Sequence, residues 1–141
     1  ARMNGCELPV VIVSGSGNQG MTASLPVIEY AEAIGADHEA LLRALAVSDL
    51  ITIHQKTGIG RLSAFCGATS AGCGAGLSGR CKGGGEAGLD CYEMAKTDLG
   101  FVNGEGIIGA DVEQTIFNVG RMARQGMRHT DEEILNIMLG L

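Results

Sequence analysis

The sequence predicts a mainly α protein: a helical bundle with a short N-terminal extended segment and glycine-rich loops. Three observations predict it. Apolar residues recur at helical spacing in several separate stretches, whereas a β-branched run bounded by turn residues occurs only at residues 9–13. Asp37, Asp111 and Thr130 stand as helix-starting residues ahead of such stretches. The third is compositional: 141 residues with 23 glycines, no tryptophan and 4% aromatics must pack through small side chains and close backbone contacts. The length suits one domain, enough to bury about two-thirds of the surface of the unfolded chain.

In chain order, residues 9–13 read as the extended segment, stopped by the polar loop Ser14-Gly15-Ser16-Gly17-Asn18-Gln19-Gly20. Ser24 then reads as a helix cap with Pro26 in the first turn; Val27, Ile28, Ala31 and Ile34 keep one face apolar, and Gly35 closes the helix. A second helix starts at Asp37 and runs to about Lys56, with Leu41, Leu42, Leu45, Leu50 and Ile53 as its apolar face and Thr57-Gly58 as its stop. Residues 59–76 have helical length but almost no bulk, which places that helix at the centre of a bundle or beside a bound group. Residues 79–88, with Gly83-Gly84-Gly85, read as a loose or shortened connection, residues 87–96 as a short helix, and residues 99–109 as a loop. Asp111 caps a helix with Val112, Ile116, Val119 and Met122 or Ala123 on one face, ending near Gly126. Thr130 and Glu133 form a capping box for the last helix, whose stripe is Ile134, Ile137, Met138 and Leu141.

Composition excludes several functions. A formal charge of −6, with ten Lys and Arg spread along the chain, argues against a sequence-independent grip on nucleic acid or on an anionic membrane. No run of 18 apolar residues offers a membrane span, and no signal peptide is visible. Five cysteines, at positions 6, 66, 73, 81 and 91, suit reduced thiols or metal ligands in a cytoplasmic protein better than a disulfide framework. The chain opens without an initiator methionine, and its start reads as a truncation.

Gly15-x-Gly17-x-x-Gly20 follows a strand-like run, as a dinucleotide fingerprint would, but the acid that motif needs at the end of a second strand is absent: Asp37 starts a helix. Two readings remain for the loop. Its serines, Asn18 and glycine amides near a helix N-terminus suit a carboxylate or phosphate, or the glycines serve a tight turn alone. Cys66 and Cys73, seven apart on one presumed helix, lie on one face about 10.5 Å apart along the axis, too far for one iron–sulfur cube. No Cys-x-x-Cys occurs, so spacing alone makes each cysteine a small buried thiol. His54, Lys56 and Arg61 bracket a glycine turn and could meet a carboxylate; the plainer reading has both cations solvated near helix ends and His54 partly buried. His38 and His129 read as surface residues, and Asp111 and Glu113 as first-turn acids.

The Ser14–Gly20 loop motif, Arg61-Leu62-Ser63-Ala64-Phe65-Cys66-Gly67, and the tail from Gly106-Ile107-Ile108 through Asp111-Val112-Glu113 to Gly126-Met127 and Thr130-Asp131 together resemble the C-terminal part of the serine dehydratase alpha-chain-like family, which includes L-cysteine desulfidase. The resemblance implies a pyridoxal-independent lyase that eliminates H₂S or water from L-cysteine or L-serine, giving ammonia and pyruvate. It further implies a four-iron four-sulfur cluster held by three cysteines, with one iron open to the leaving group. By motif, Cys66 matches one ligand and Cys81 is the nearest match for a second; Ser14, Ser16, Gly17, Asn18 and Gln19 match the substrate loop, and Arg61 joins them as a substrate contact. The general base is unassigned. Departures from the family pattern mark an apparent deletion near residues 77–86 and a missing N-terminal half that would carry a further cysteine motif. Self-association or association with that half is expected. The alternative is a catalytically incomplete helical module that binds an amino acid or another anion through the glycine loop.

Overall fold

The computed structural model describes residues 4–61, 63–80, 104 and 106–141, the backbone alone at 76–80. Among them five helices form a mainly α bundle, as expected: α1 Gly17–Ala33, α2 His38–Ile59, α3 Gly67–Arg80, α4 Val112–Gly126 and α5 Arg128–Leu139. Helix α3 runs through residues 79 and 80, where the loose connection is expected to begin; the rest of that connection, to residue 88, and the short helix expected over residues 87–96, with Cys81 and Cys91, lie outside the described residues. The expected extended segment forms no strand; Val13 and Ser16 exchange two backbone hydrogen bonds of 3.2 Å in an isolated antiparallel bridge.

Helix α1 starts seven residues before the expected cap. Ser16, not Ser24, stands at its N-cap and accepts from the Gln19 N–H, so Gly17 to Gly20 are helical and Pro26 lies well inside the helix. Tertiary packing overrides the low helix propensity of these glycines. A Cβ on Gly20 would lie 1.9 Å from the Val11 carbonyl oxygen, so the preceding segment lies directly on this first turn. Asp37 caps α2 as expected, its Oδ1 accepting from Ala40 N–H at 2.8 Å. The helix then runs through the expected stop to Ile59, where Gly60 at φ 104° ends it. Gly58 is kept helical because α4 crosses there: a Cβ on Gly120 would sit 2.8 Å from the Gly58 carbonyl carbon.

Helix α3 is central, packed on both α1 and α2, while α1 also meets α2, α2 meets α4, and α4 meets α5. Its Ala71 and Ala75 are fully buried, and a Cβ on Gly74 would lie 2.6 Å from Thr52 Oγ1. This closeness alters the expected orientation of α2. The face turned to the bundle is Ser48, Thr52, Lys56 and Ile59, with the expected Leu41 and Leu45 half-buried, whereas Leu42, Leu50 and Ile53 are exposed. Only short side chains fit against the alanine and glycine surface of α3. Their hydroxyls cost little to bury because each finds a carbonyl: Ser48 Oγ donates to Ala23 O at 2.7 Å and Thr52 Oγ1 to Ser48 O at 2.8 Å.

Asp111 caps α4, its Oδ1 accepting from Gln114 N–H at 2.7 Å, and the inward face is Gly120 and Ala123, with Val112 and Met122 exposed. The expected capping box is absent. Helix α5 begins at Arg128, one residue after α4, so Thr130 and Glu133 are inside it and Met127 is an uncapped junction. Its expected apolar stripe faces outward: Ile134, Ile137, Met138 and Leu141 are all exposed.

Candidate functional site

The first turn of α1, the last turn of α2 and the start of α3 meet at one end of the bundle. The turn into α1 uses Ser14 at φ 50° and Gly15 at φ 90°, and the position of a Cβ on Gly15 is 4.0 Å from the Arg61 carbonyl oxygen. The loop is therefore short, residues 14–16 rather than 14–20, and lies against the segment that joins α2 to α3. Gly17 and Gln19 are buried and Ser14, Ser16 and Asn18 half-buried, while Arg61 is exposed. Gln19 packs flat on α3, where a Cβ on Gly67 would come within 2.4 Å of its Cδ and Nε2. Gln19 is 3% exposed, and its Oε1 has no hydrogen-bond partner among the described residues.

Cys66 is not on the helix with Cys73, as the spacing suggested, but immediately precedes it, and its side chain is exposed rather than buried. The break arises because Gly60 ends α2 and residues 63–66 are not helical; there Phe65 N–H donates to Ser63 Oγ at 3.1 Å and Ala64 N–H to Asp131 Oδ1 at 2.5 Å. The Cys66 thiol is held below the usual thiol range, chiefly by a hydrogen bond from the Thr69 hydroxyl. Backbone N–H groups of Thr69 and Ala68 and the positive charge of Lys56 add to this, against a small opposing effect of burial. A thiol so placed at a helix start is disposed toward thiolate, the form that binds metal.

Lys56 corrects the plainer reading of its charge. Its side chain is 3% exposed rather than solvated. Burial pushes its ammonium below the usual lysine range, and the negative charges of Asp131 and Cys66 oppose that. His54 also departs from the expected partial burial: it is exposed on α2 and pairs with Glu113 of α4 at 3.0 Å, away from Cys66. That pair borders a groove of about 460 Å³ between α2 and α4, lined also by Phe117, Arg121 and Arg124. The site thus keeps Lys56 and gains Thr69 and Asp131. A signal for Lys56 exists in the sequence: the small-residue helix needs a slim partner, and Ser48, Thr52 and Lys56 recur every fourth residue. Asp131 carries no comparable signal, because it joins through a contact 67 residues away along the chain.

Among the described residues no three His, Cys, Asp or Glu side chains converge as a metal site. None of the described helices is long and apolar enough to cross a membrane.

Comparison with known proteins adds a lineage to this geometry. The family model of the serine dehydratase alpha chain matches residues 1–84. A UPF0597 protein of Desulfitobacterium hafniense is 46% identical over 99% of this chain and 41% of its own length. Those of Lachnoclostridium phytofermentans and Fusobacterium nucleatum are each 43% identical, over 99% and 98% of this chain and 42% and 41% of theirs. The chain therefore spans about two-fifths of the length of these relatives. The three alignments run over 174 to 176 positions, more than the chain's 141 residues, so each relative carries residues with no counterpart here. No solved structure matches the chain.

Proposed function

Because the chain belongs to the serine dehydratase alpha chain family, we propose that it forms part of a pyridoxal-independent amino-acid lyase acting on L-serine or L-cysteine. The elimination breaks the Cα–H bond and the bond from Cβ to oxygen or sulfur, releasing water or H₂S; the resulting enamine tautomerises and is hydrolysed to pyruvate and ammonia. The observation that carries this reading is the convergence of an activated thiol, Cys66, with the buried Gln19 and Lys56 at the junction of three helix ends.

A four-iron four-sulfur cluster is the group the family implies, and when bound it supplies Lewis-acid chemistry at the leaving group. Cys66 suits one ligand position, since it is exposed and disposed toward thiolate. Cys81, outside the described residues, is proposed as a second ligand; further ligands would come from the greater length seen in the relatives. Around the substrate, the α1 N-terminus supplies a positive dipole end for the carboxylate. Ser14, Ser16, Gly17, Asn18 and Gln19 line that end, and Arg61 flanks it as an exposed cation. Asp131 holds the Cys66 segment in place through Ala64. We place the protein in the cytoplasm, consistent with reactive thiols.

The test is anaerobic purification, with iron and acid-labile sulfide measured alongside pyruvate release from L-serine and L-cysteine. Iron, sulfide and pyruvate together are the expected result; a colourless protein that releases no pyruvate overturns the reading. The relatives' unmatched residues favour a second possibility, a module that binds an amino acid without turnover. Calorimetric binding of L-serine to metal-free chain, with no pyruvate from the iron-loaded form, would establish it.

A further inference from the structure

Two buried polar groups at this end of the bundle have complementary demands. Gln19 Oε1 is an acceptor without a donor among the described residues, on a side chain 3% exposed. Leaving such an oxygen unpaired costs about 1–3 kcal/mol, so the position favours a ligand that brings an N–H or O–H. Lys56 is a cation equally withdrawn from water, and the negative charges of Asp131 and Cys66 only partly offset that burial, so the position favours a further anion. Both sit beside the residues that begin α3. Gln19 packs on Gly67, and the charge of Lys56 acts on Cys66, the residue before it. A donor and an anion favoured at the same end of the bundle are what a zwitterion supplies.

We propose that Lys56 and Gln19 divide recognition of an α-amino acid between them, Lys56 meeting the α-carboxylate and Gln19 Oε1 accepting from the α-ammonium. The inference rests on the lyase reading and adds to it the two residues that select a zwitterion over a hydroxy acid or a simple amine. Arg61, whose backbone carbonyl lies against Gly15 of the substrate loop, has an exposed side chain and is therefore screened. The buried Lys56 acts where the dielectric is low, and this makes it the stronger anchor.

Two fragments of L-serine separate the roles: glycerate, which lacks the amine, and ethanolamine, which lacks the carboxylate. Both are measured as inhibitors of pyruvate release by the anaerobic holoenzyme. Lys56→Met is expected to raise the KM for L-serine at least tenfold with a smaller fall in kcat, to weaken glycerate similarly, and to leave ethanolamine within twofold. Gln19→Met is expected to weaken L-serine and ethanolamine but not glycerate, and Gln19→Glu, which keeps an acceptor, to restore ethanolamine binding. Arg43→Met, an exposed cation toward the far end of α2, is the control and should move none of these values. Equal loss of both fragments in both variants, or no change in either, overturns the proposal. Should the wild-type protein release no pyruvate, the lyase reading fails separately. The same three ligands are then titrated calorimetrically into wild type and variants: the pattern above sustains the inference, and absence of L-serine binding ends it. Thermal unfolding of each variant identifies any that fails to fold, and the Gln19→Glu arm then decides.

Discussion

Cys66 owes its chemistry to position rather than to being a cysteine in a small-residue stretch. Standing just before α3, it collects the Thr69 hydroxyl, two backbone N–H groups and the field of Lys56, all of which favour the thiolate. Cys6, in the segment before α1, is also exposed and is labelled in the same experiment. Because the folded-state value is lowered, ionisation of Cys66 begins at lower pH than for an ordinary thiol. In metal-free protein, iodoacetamide labelling followed by mass spectrometry for each cysteine should therefore give Cys66 a pH midpoint below the usual thiol range. Thr69→Val removes the largest cause while keeping the shape, and the midpoint should move upward. A midpoint unaffected by that change would show that the Thr69 hydroxyl does not hold the thiolate.

The helices of this bundle are positioned by glycines that act as contact surfaces. Gly74 of α3 lies against Thr52, with a Cβ there also 2.8 Å from the Ser48 carbonyl oxygen, and Gly120 of α4 lies against Gly58 of α2. The obstacles are largely backbone, which cannot swing aside as a flexible side chain can. Gly74→Ala should therefore destabilise the chain by about 1–3 kcal/mol, the usual range for overpacking a tight core. Gly126, at the end of α4, meets nothing within 4 Å, so Gly126→Ala should be neutral or stabilise by up to about 1 kcal/mol through helix propensity. Urea unfolding of both variants measures the contrast, and equal effects would mean that α3 does not pack on α2 in this way. The same closeness puts the hydroxyls of Ser48 and Thr52 on the inward face of α2 and leaves Leu42 and Leu50 exposed.

At the scale of the molecule, large apolar side chains among the described residues are more abundant outside than in. The buried apolar side chains larger than alanine are Val13, Val27 and Ile59, while Leu42, Leu50 and Ile53 on α2, Phe117 on α4, and Ile137, Met138 and Leu139 on α5 are exposed. Patches of this kind on a chain that spans two-fifths of its relatives' length predict association of the isolated chain. Sedimentation velocity across a tenfold concentration range should show its mass rising, and the double change Leu50→Glu with Ile53→Glu should lower that mass while the far-ultraviolet circular dichroism stays helical. A monomer at every concentration would refute the expectation.

The order of helices, the caps at Asp37 and Asp111, the central place of the glycine- and alanine-rich helix and the family resemblance were all legible in the residues. They follow from local chemistry: a carboxylate accepting from a first-turn amide, a sequence too slim to pack anywhere but between neighbours, and motifs in a fixed order. What the tertiary structure decided was orientation and encounter. The helical period put Leu41, Leu42, Leu45, Leu50 and Ile53 on the inward face of α2, but the close approach of α3 brings Ser48 and Thr52 there instead, and Lys56 and Ile59 are buried with them. Ser24 and Thr130 lost their expected capping roles because contacts with distant segments extended α1 and α5 backward past them. The meeting of Gln19, Lys56, Cys66 and Asp131 depends on residues far apart along the chain. Periodicity specifies which residues share a face of a helix, and only packing specifies what that face meets.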